Sequence, residues 1–244
     1  MAPTHETDDP GRVRCAVVDV ASLHAPAERH PDRWFSGGRR LIVFAREIPR
    51  EHYRLPVPQK TRTFRDQIRA VETLLDDTVE RLRAHGDRAA AVPVFFPIRL
   101  EHGRMRGALS LRDLAADAGM GAVGRNGLLI VPGAGCRTAL GALVTDARLP
   151  LRRPADRVSC LDCGRCRAAC PTGAIGPEGV DPFRCLNVAA LTPGPLARLL
   201  VRAANGGIAA RAVAPVVNAV ARHAPMPCSA CVTAYPHSGM EQKS

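Results

Sequence analysis

The chain has 244 residues, which allows one large domain or two small ones and excludes a long repeat array. Hydrophobic residues make up 46% and charged residues 23%, so a buried core can form and a chain that is disordered throughout is excluded. The net charge of +11 could attract a nucleic acid, an anionic substrate or an acidic redox protein, but the dispersed arginines do not choose among them.

Residues 1–12 are polar and predict a disordered tail. Beyond them, short apolar runs rich in β-branched residues predict strands, and apolar residues spaced three to four apart predict helices. The predicted strands are 14–20, 40–45, 91–96, 127–131 and 139–145, and the predicted helices are 61–85 and 109–118. The helices are closed by Gly86 and Gly119. Pro93 has no N–H to donate, so strand 91–96 is expected at a sheet edge or at a strand start.

The order of these elements predicts an α+β fold with two parts. Strands interleaved with helices predict an α/β layer domain over residues 13–157. From residue 158 the sequence becomes rich in cysteine, glycine and proline, which predicts a small domain over 158–237 that is organised by metal. Prolines and glycines break the Ala/Val/Leu-rich stretch 186–224 into a helical insertion that we expect to pack on the first domain. Residues 238–244 are expected to form a tail.

The meaning of the cysteines depends on the cellular compartment, because disulfides persist only where it is oxidising. The first thirty residues carry acidic residues before any apolar run, which is not the pattern of a secretory signal, so we expect a cytoplasmic protein. Arginines interrupt the most apolar stretch, so no membrane span is expected. Nine cysteines in a reducing compartment therefore indicate metal or redox chemistry and not a disulfide framework.

The first cysteine motif is Cys160-x2-Cys163-x2-Cys166-x3-Cys170-Pro171. This spacing is typical of bacterial proteins with two [4Fe–4S] clusters, in which the fourth cysteine ligates the other cluster. A zinc ribbon is the alternative. Zinc sites usually use two well-separated Cys-x2-Cys pairs, and three cysteines within seven residues do not divide in that way. The motif therefore predicts iron–sulfur clusters.

A second ligand set is completed by Cys185, Cys228 and Cys231, with Cys170 donated from the first motif. Three residues after Cys231, where the pattern expects a cysteine followed by proline, the chain has Tyr235 and then proline. By the exchange of ligands between motifs, that cysteine would be the fourth ligand of the first cluster. The first cluster is therefore predicted to have only three cysteine ligands from these motifs.

Several residues could occupy the fourth position of the first cluster. Tyr235 or His237 could bind there, Cys15 or Cys136 could fold in, or one iron could stay open to water or substrate or be lost. Alternatively, Tyr235 is only a spacer beside a degenerate cluster. Cys15 lies in a predicted strand and is expected to be a small buried hydrophobic residue.

Residues 115–130, then 135–146, and then the cysteine motifs resemble the epoxyqueuosine reductase family. In that family the corresponding pattern is AGLG-x-x-GK-(N/H)-x-LL, then LGE-x-x-TD, then a two-cluster ferredoxin module, and reductive dehalogenases share the general architecture. The resemblance implies a nitroreductase-like, corrinoid-binding first domain and a ferredoxin-like second domain. It also implies a cobalamin, an electron donor such as ferredoxin or flavodoxin, and the two-electron reduction of a substrate.

Gly119-x-Gly121-x-x-Gly124 is a GxGxxG sequence, but a dinucleotide site needs a strand before it and a helix after it, and here the order is reversed. Glycines here would let the backbone approach a bulky ligand, and a simple turn is the alternative. If the resemblance holds, we expect the following residues to contact the cofactor: Gly121, Gly124, Arg125, Asn126, Gly127 and Cys136.

No catalytic residue is assigned. Family members that reduce the queuosine precursor carry an acidic proton donor, and without gaps that acid falls on Met105, whereas Glu101 or His102 could replace it or be solvated loop residues. The leading hypothesis is an iron–sulfur reductase that acts on an unidentified substrate, either a small molecule or an RNA. Two alternatives are a ferredoxin-like electron-transfer protein without cobalamin and a nucleic-acid-binding module whose clusters are structural.

Overall fold

The computed structural model describes residues 11–24, 30–94, 98–101, 104–107, 109–154, 158–191, 194–195, 199, 201 and 207–236. Most of the predicted N-terminal tail and all of the predicted C-terminal tail lie outside these residues. The strands are β1 (Val13–Asp19), β2 (Arg40–Glu47), β3 (Ala89–Val92), β4 (Arg99–Glu101), β5 (Arg104–Arg106), β6 (Ala122–Val123), β7 (Leu129–Ile130), β8 (Thr138–Thr145), β9 (Ile175–Gly176) and β10 (Gly179–Val180). The helices are α1 (Val57–Ala84), α2 (Leu111–Asp117), α3 (Arg165–Ala168), α4 (Leu186–Ala189), α5 (Gly207–Ala221) and α6 (Ala230–Thr233).

Four strands form an antiparallel sheet in the order β1-β2-β8-β3. On the central strand β2, Val43 pairs with Ala16 on one side and with Ala142 on the other. All three side chains are buried. The predicted strands 14–20, 40–45 and 139–145 are confirmed, because β1, β2 and β8 begin and end within two residues of the predicted positions.

Two further strand predictions have different outcomes. β3 is the edge strand that the proline indicated, but the predicted extent 91–96 is wrong, because β3 spans Ala89–Val92 and ends just before Pro93. The prediction for 127–131 is wrong in extent, because only Leu129 and Ile130 form β7, which pairs with β6 outside the main sheet. Gly127 and Gly133 have φ angles of 72° and 74°, and these left-handed turns keep the strand short. The described structure mixes helices with an antiparallel sheet, which is an α+β arrangement.

Helices cover both faces of the main sheet. On one face, α1 packs Val71 and Leu75 against Leu143 of β8. On the other face, α2 packs Leu114 in the same core as Val43 of β2. Successive residues of a strand point to opposite faces, so one continuous apolar run supplies both layers of core.

The predicted helix 61–85 is confirmed, but it begins earlier, at Val57. Pro58 lies in its first turn, where the missing N–H would have had no partner within the helix. The helix ends at Ala84, and Gly86 follows with a φ angle of 89°, a conformation that glycine adopts without a steric penalty. The predicted helix 109–118 is observed as α2, and Gly119 follows it with a φ angle of 79°.

α5 lies within the predicted insertion and contacts the segment that leads to β4. The Asn218 side chain accepts a hydrogen bond from the Ile98 amide at 2.7 Å and donates one to the Ile98 carbonyl at 2.9 Å. Val217 and Ala221 bury their side chains beside Ile98. None of the helices in the described part of the chain combines the length and the apolar character that crossing a bilayer requires.

Gly141 tests the packing of α1 on the sheet. A Cβ at this position would lie 2.5 Å from Val71 Cγ1 and 3.0 Å from Leu75 Cδ1, and both side chains are fully buried. We expect Gly141→Ala to lower the free energy of unfolding by about 1–3 kcal/mol, because overpacking forces the core to shift. Urea unfolding followed by circular dichroism measures the change.

Gly176→Ala is the matched control, since the atom nearest to its added Cβ is Gly179 O at 3.8 Å. Its stability should stay within about 0.5 kcal/mol of the wild type. Equal unfolding midpoints for the two variants would contradict the close approach of α1 to β8.

Candidate metal centre

The first cysteine motif forms a loop that leads into the short helix α3. Asp162 and Gly164 have φ angles of 48° and 71°, and these left-handed residues turn the chain between successive cysteines. Asp162 is the one non-glycine residue with a positive φ in the described part of the chain. Asparagine and aspartate tolerate this conformation better than most other residues do.

Arg125 anchors the loop from outside. Its Nε and Nη2 donate to the two Asp162 carboxylate oxygens at 2.8 Å and 3.0 Å, and its Nη1 donates to the Pro177 carbonyl at 3.3 Å. This paired hydrogen bond lowers the pKa of the exposed Asp162 carboxyl. The contact ties the turn after β6 to the first cysteine motif, 37 residues later in the chain.

Cys160, Cys163 and Cys166 line one small pocket together with Tyr235. The structure therefore places the tyrosine next to the cysteines whose fourth partner it replaces in the motif. Cys163 is exposed, whereas Cys160 and Cys166 are half-buried. Burial raises the pKa of the Cys166 thiol, and the neighbouring thiols Cys160 and Cys163 add to that rise.

A chain of hydrogen bonds connects the cysteines of the second set. Thr172 Oγ1 lies 3.7 Å from Cys170 Sγ and donates to the Arg184 carbonyl, one residue before Cys185, at 2.7 Å. Asn187 then donates to the Cys228 carbonyl at 2.8 Å and accepts from the Cys228 amide at 2.9 Å. These contacts thus bring together the segments that carry Cys170, Cys185 and Cys228, which are distant in sequence.

The thiols of the second set have different environments. Burial acts to raise the pKa of Cys170, but hydrogen bonds from the Thr172 and Ala174 amides lower it overall. Burial raises the pKa of Cys231 to about 12, and the thiols of Cys228 and Cys185 add to the rise. A thiol with such a high pKa stays protonated until a cation binds, so loading with iron must release its proton.

Asn126 and Cys136 lie between the two cysteine sets. Asn126 Nδ2 is 3.4 Å from Cys136 Sγ and also 3.4 Å from the carbonyl oxygen of Cys231. Burial raises the pKa of Cys136 to about 11, and the thiols of Cys166 and Cys160 contribute to the rise. Asn126 therefore contacts both Cys136 and a residue of the second set.

The glycines expected to approach a cofactor have close contacts within the protein. A Cβ on Gly121 would lie 1.9 Å from the Ile130 carbonyl oxygen, and one on Gly124 would lie 2.9 Å from Asn126 Oδ1. Gly127 is the left-handed residue of the turn. The turn and the β6–β7 hairpin thus account for these glycines, which supports the simple-turn alternative.

The remaining candidate residues are separated by the fold. Cys15 lies in β1, pairs with Phe44, and packs in the core beneath α1, so it belongs to a different core from Cys136. His237 and His102 lie outside the described residues, as do the side chains of Glu101 and Met105. Within the described ranges, no three side chains of His, Cys, Asp or Glu converge closely enough to hold a single metal ion.

Sequence reasoning missed a contact between α1 and the second cysteine set. Lys60 is 6% exposed, and its Nζ donates to Ser229 Oγ, between Cys228 and Cys231, at 3.0 Å. Thr61 Oγ1 accepts from the Met226 amide at 2.9 Å. No local signal marks Lys60, because its role depends on a partner 169 residues away.

A groove of about 440 Å³ lies beside this contact and is here called the basic groove. It is formed by the first turns of α1 and the segment that precedes Cys228. Its lining includes Thr61, Arg62, Arg65, Arg69, His223 and Pro225. The three arginines share one helical face.

No profile of a known protein family matches the chain. Among curated proteins, the epoxyqueuosine reductase of Synechococcus sp. (strain RCC307) is 49% identical over 73 residues, 30% of this chain and 23% of that protein. The epoxyqueuosine reductase of Listeria monocytogenes is 31% identical over 164 residues, 65% of this chain and 42% of that protein. The chain thus spans less than half the length of either relative.

Solved structures show the same fold. A crystal structure of epoxyqueuosine reductase with an epoxyqueuosine-modified tRNA-Tyr stem loop superposes with a TM-score of 0.59 at 18% identity, covering 96% of this chain and 63% of that one. A catabolic reductive dehalogenase superposes with a TM-score of 0.53 at 13% identity, covering 86% of this chain and 34% of that one. Over part of its length the chain is therefore similar in sequence to epoxyqueuosine reductases, the family that its motifs resemble, and it shares their fold.

Proposed function

We propose that this protein is an iron–sulfur reductase with two [4Fe–4S] clusters. One cluster is held by Cys160, Cys163 and Cys166, and the other by Cys170, Cys185, Cys228 and Cys231. The observation that carries the proposal is the gathering of these cysteines into two neighbouring groups by contacts between distant segments. The donor set fits the cofactor, since thiolates are the ligands that such clusters use.

We further propose that electrons pass from the second cluster to the first. Asn126 and Cys136 lie between the two sets, so the sets are neighbours in the fold. The second set lies beside the basic groove, through Lys60 and Thr61. The first set lies beside the turn after β6, through Arg125. This arrangement supports the binding of the electron donor at the groove and of the substrate that accepts the electrons near the turn.

Cobalamin is implied by the resemblance to the family, but the glycines, Arg125 and Asn126 that were expected to contact it are engaged within the protein. Gly121, Gly124 and Gly127 serve the hairpin and its turn. Arg125 binds Asp162, and Asn126 binds the cysteine segments. We therefore assign no step of the reaction to a corrinoid. These occupied contacts also favour a second candidate function, a ferredoxin-like electron carrier without cobalamin.

The first substrate to test is an RNA that carries epoxyqueuosine. The relatives are named for reducing that nucleoside, and one solved relative holds a modified tRNA stem loop. The net charge of +11 favours a polyanion through long-range attraction. Reduction of the epoxide consumes two electrons, which two one-electron clusters can supply, and two protons, and the epoxide oxygen leaves as water.

The electron donor is proposed to bind at the basic groove as an acidic protein such as a ferredoxin or flavodoxin. Thr61 lines the groove and contacts Met226, two residues before Cys228. Two residues span at most about 7 Å, so a partner in the groove would lie close to the second cluster. The charge of Arg69 is partly neutralised, because its Nη1 lies 3.0 Å from Asp66 Oδ1. Arg62 is an exposed cation of the groove and is therefore the residue chosen for the test.

Mutation of one ligand set distinguishes the two clusters, because it should remove one cluster and leave the other. We expect protein purified without oxygen to contain about eight iron atoms, and Cys228→Ser with Cys231→Ser to retain about four, because only the second set is disrupted. Iron analysis and EPR of the reduced protein measure this result. A colourless protein loaded with zinc would rule out the redox function.

The docking of the donor predicts a charge effect. Arg62→Glu should slow reduction by a flavodoxin about three- to tenfold at low salt, because it removes attraction at the groove. Arg81→Glu is the control, with the same charge change at an exposed position near the other end of α1. Reduction by dithionite should be equal for both variants. If Arg62→Glu instead weakens only the binding of RNA, the groove is a binding site for the RNA substrate and not for the electron donor.

A corrinoid titration separates the reductase from the carrier. For a reductase that uses the cobalamin implied by the family resemblance, we expect the cobalt spectrum of added cobalamin to change on binding. The reduced protein with cobalamin should then consume epoxyqueuosine in a stem-loop RNA. Nucleoside mass spectrometry follows that consumption. No spectral change at saturating protein would favour the carrier. Binding of cobalamin without any RNA turnover would contradict the proposed substrate.

A further inference from the structure

The motif leaves the fourth position of the first cluster without a cysteine. We propose that Cys136 is the fourth ligand of the cluster held by Cys160, Cys163 and Cys166. This inference rests on the proposed two-cluster function. It names a ligand that comes from the layer domain and lies outside both cysteine motifs.

Cys136 lies in the right place for this role. It is 5% exposed and shares a buried group with Tyr235, Ile130 and Val232. Cys160 of the first set and Cys231 of the second set both pack against the same group, and only the first set is short of a cysteine in its motif. A cysteine of the layer domain, located between β7 and β8, is thus buried beside the incomplete ligand set.

Tyr235 stands at the motif position but is poorly suited to replace a thiolate. A cysteine sulfur lies one bond beyond Cβ, whereas the tyrosine oxygen lies at the far end of an aromatic ring. Its oxygen is therefore carried further from the backbone than a cysteine sulfur at the same position would be. Clusters of this type are held predominantly by thiolates, which a nearby cysteine can supply.

The backbone on both sides of Cys136 is held in place. Before it, Val131 and Gly135 exchange backbone hydrogen bonds of 2.9 Å and 2.8 Å. After it, Arg137 is 1% exposed, with Nη2 at 2.8 Å from Glu47 Oε1 and Nη1 donating to the Ile48 carbonyl at 2.9 Å. The thiol is therefore presented from a rigid support. Ligands positioned in this way bind metal with little reorganisation.

Asn126 provides a further contact of the kind found around cluster sulfurs. Its Nδ2 donates to Cys136 Sγ at 3.4 Å, and its Oδ1 accepts from the Leu128 amide at 3.2 Å, which fixes the orientation of the amide. Hydrogen bonds to ligand sulfurs stabilise the thiolate form and tune the potential of the cluster. Cys15 has no comparable setting, since it lies in β1 among apolar side chains beneath α1.

Spectroscopy of single-cysteine variants tests the assignment. Wild-type protein purified without oxygen should show two four-iron clusters by Mössbauer spectroscopy. Cys136→Ala should convert one of them to a three-iron cluster, seen as a new EPR signal in the oxidised protein and as the loss of about one iron per chain. Cys15→Ala is the matched control and should retain the wild-type spectra.

A rescue variant keeps the test decisive if Cys136→Ala is unstable. The double variant Cys136→Ala with Tyr235→Cys restores a cysteine at the motif position and should recover two four-iron clusters. Three results would overturn the inference: unchanged clusters in Cys136→Ala, a three-iron cluster already in the wild type, or a double variant that gains no cluster. A wild type without iron would instead refute the two-cluster function itself.

Discussion

Two hydrogen bonds between the Asn187 side chain and the Cys228 backbone hold together segments that lie 41 residues apart. The candidate centre depends on contacts of this kind. A cluster needs thiolates from several segments, and a small buried group around Tyr235 and Val232 gathers some of them. Side-chain amides and hydroxyls that bind backbone groups hold the other segments, as the contact of Thr172 with the Arg184 carbonyl also shows.

The layer domain supports the centre from the other side. Its antiparallel sheet is packed on both faces by helices, so the loops that leave β7 and α1 start from fixed positions. The buried pair of Arg137 with Glu47 holds the loop that carries Cys136. Lys60 of α1 holds the loop between Cys228 and Cys231. Removing Glu47 would leave the buried guanidinium of Arg137 without its ion pair, which costs stability.

Much of the layer domain could be predicted from the sequence, because its elements follow local patterns. The strands of the sheet and the helix α1 follow from apolar runs and from spacing of three to four. The strand at 127–131 could not be predicted correctly, since the left-handed turns around it and the β6–β7 pairing are not visible in an apolar run. The glycines from Gly121 to Gly127 were open to two interpretations for a similar reason. Whether a glycine faces a ligand or another backbone depends on what the fold places opposite it.

The sequence by itself determined the spacing of the cysteines, and that Tyr235 stands where the motif pattern expects a further cysteine, because such spacing is a local property of the chain. It also determined the apolar strands and the helix that build the supporting sheet. Only the tertiary structure decided that Cys136 and not Cys15 lies beside Tyr235 and Cys160, and that a buried lysine contacts the second set. These are contacts between residues far apart in the chain, and their closeness is set by the packing of whole elements and not by any local pattern.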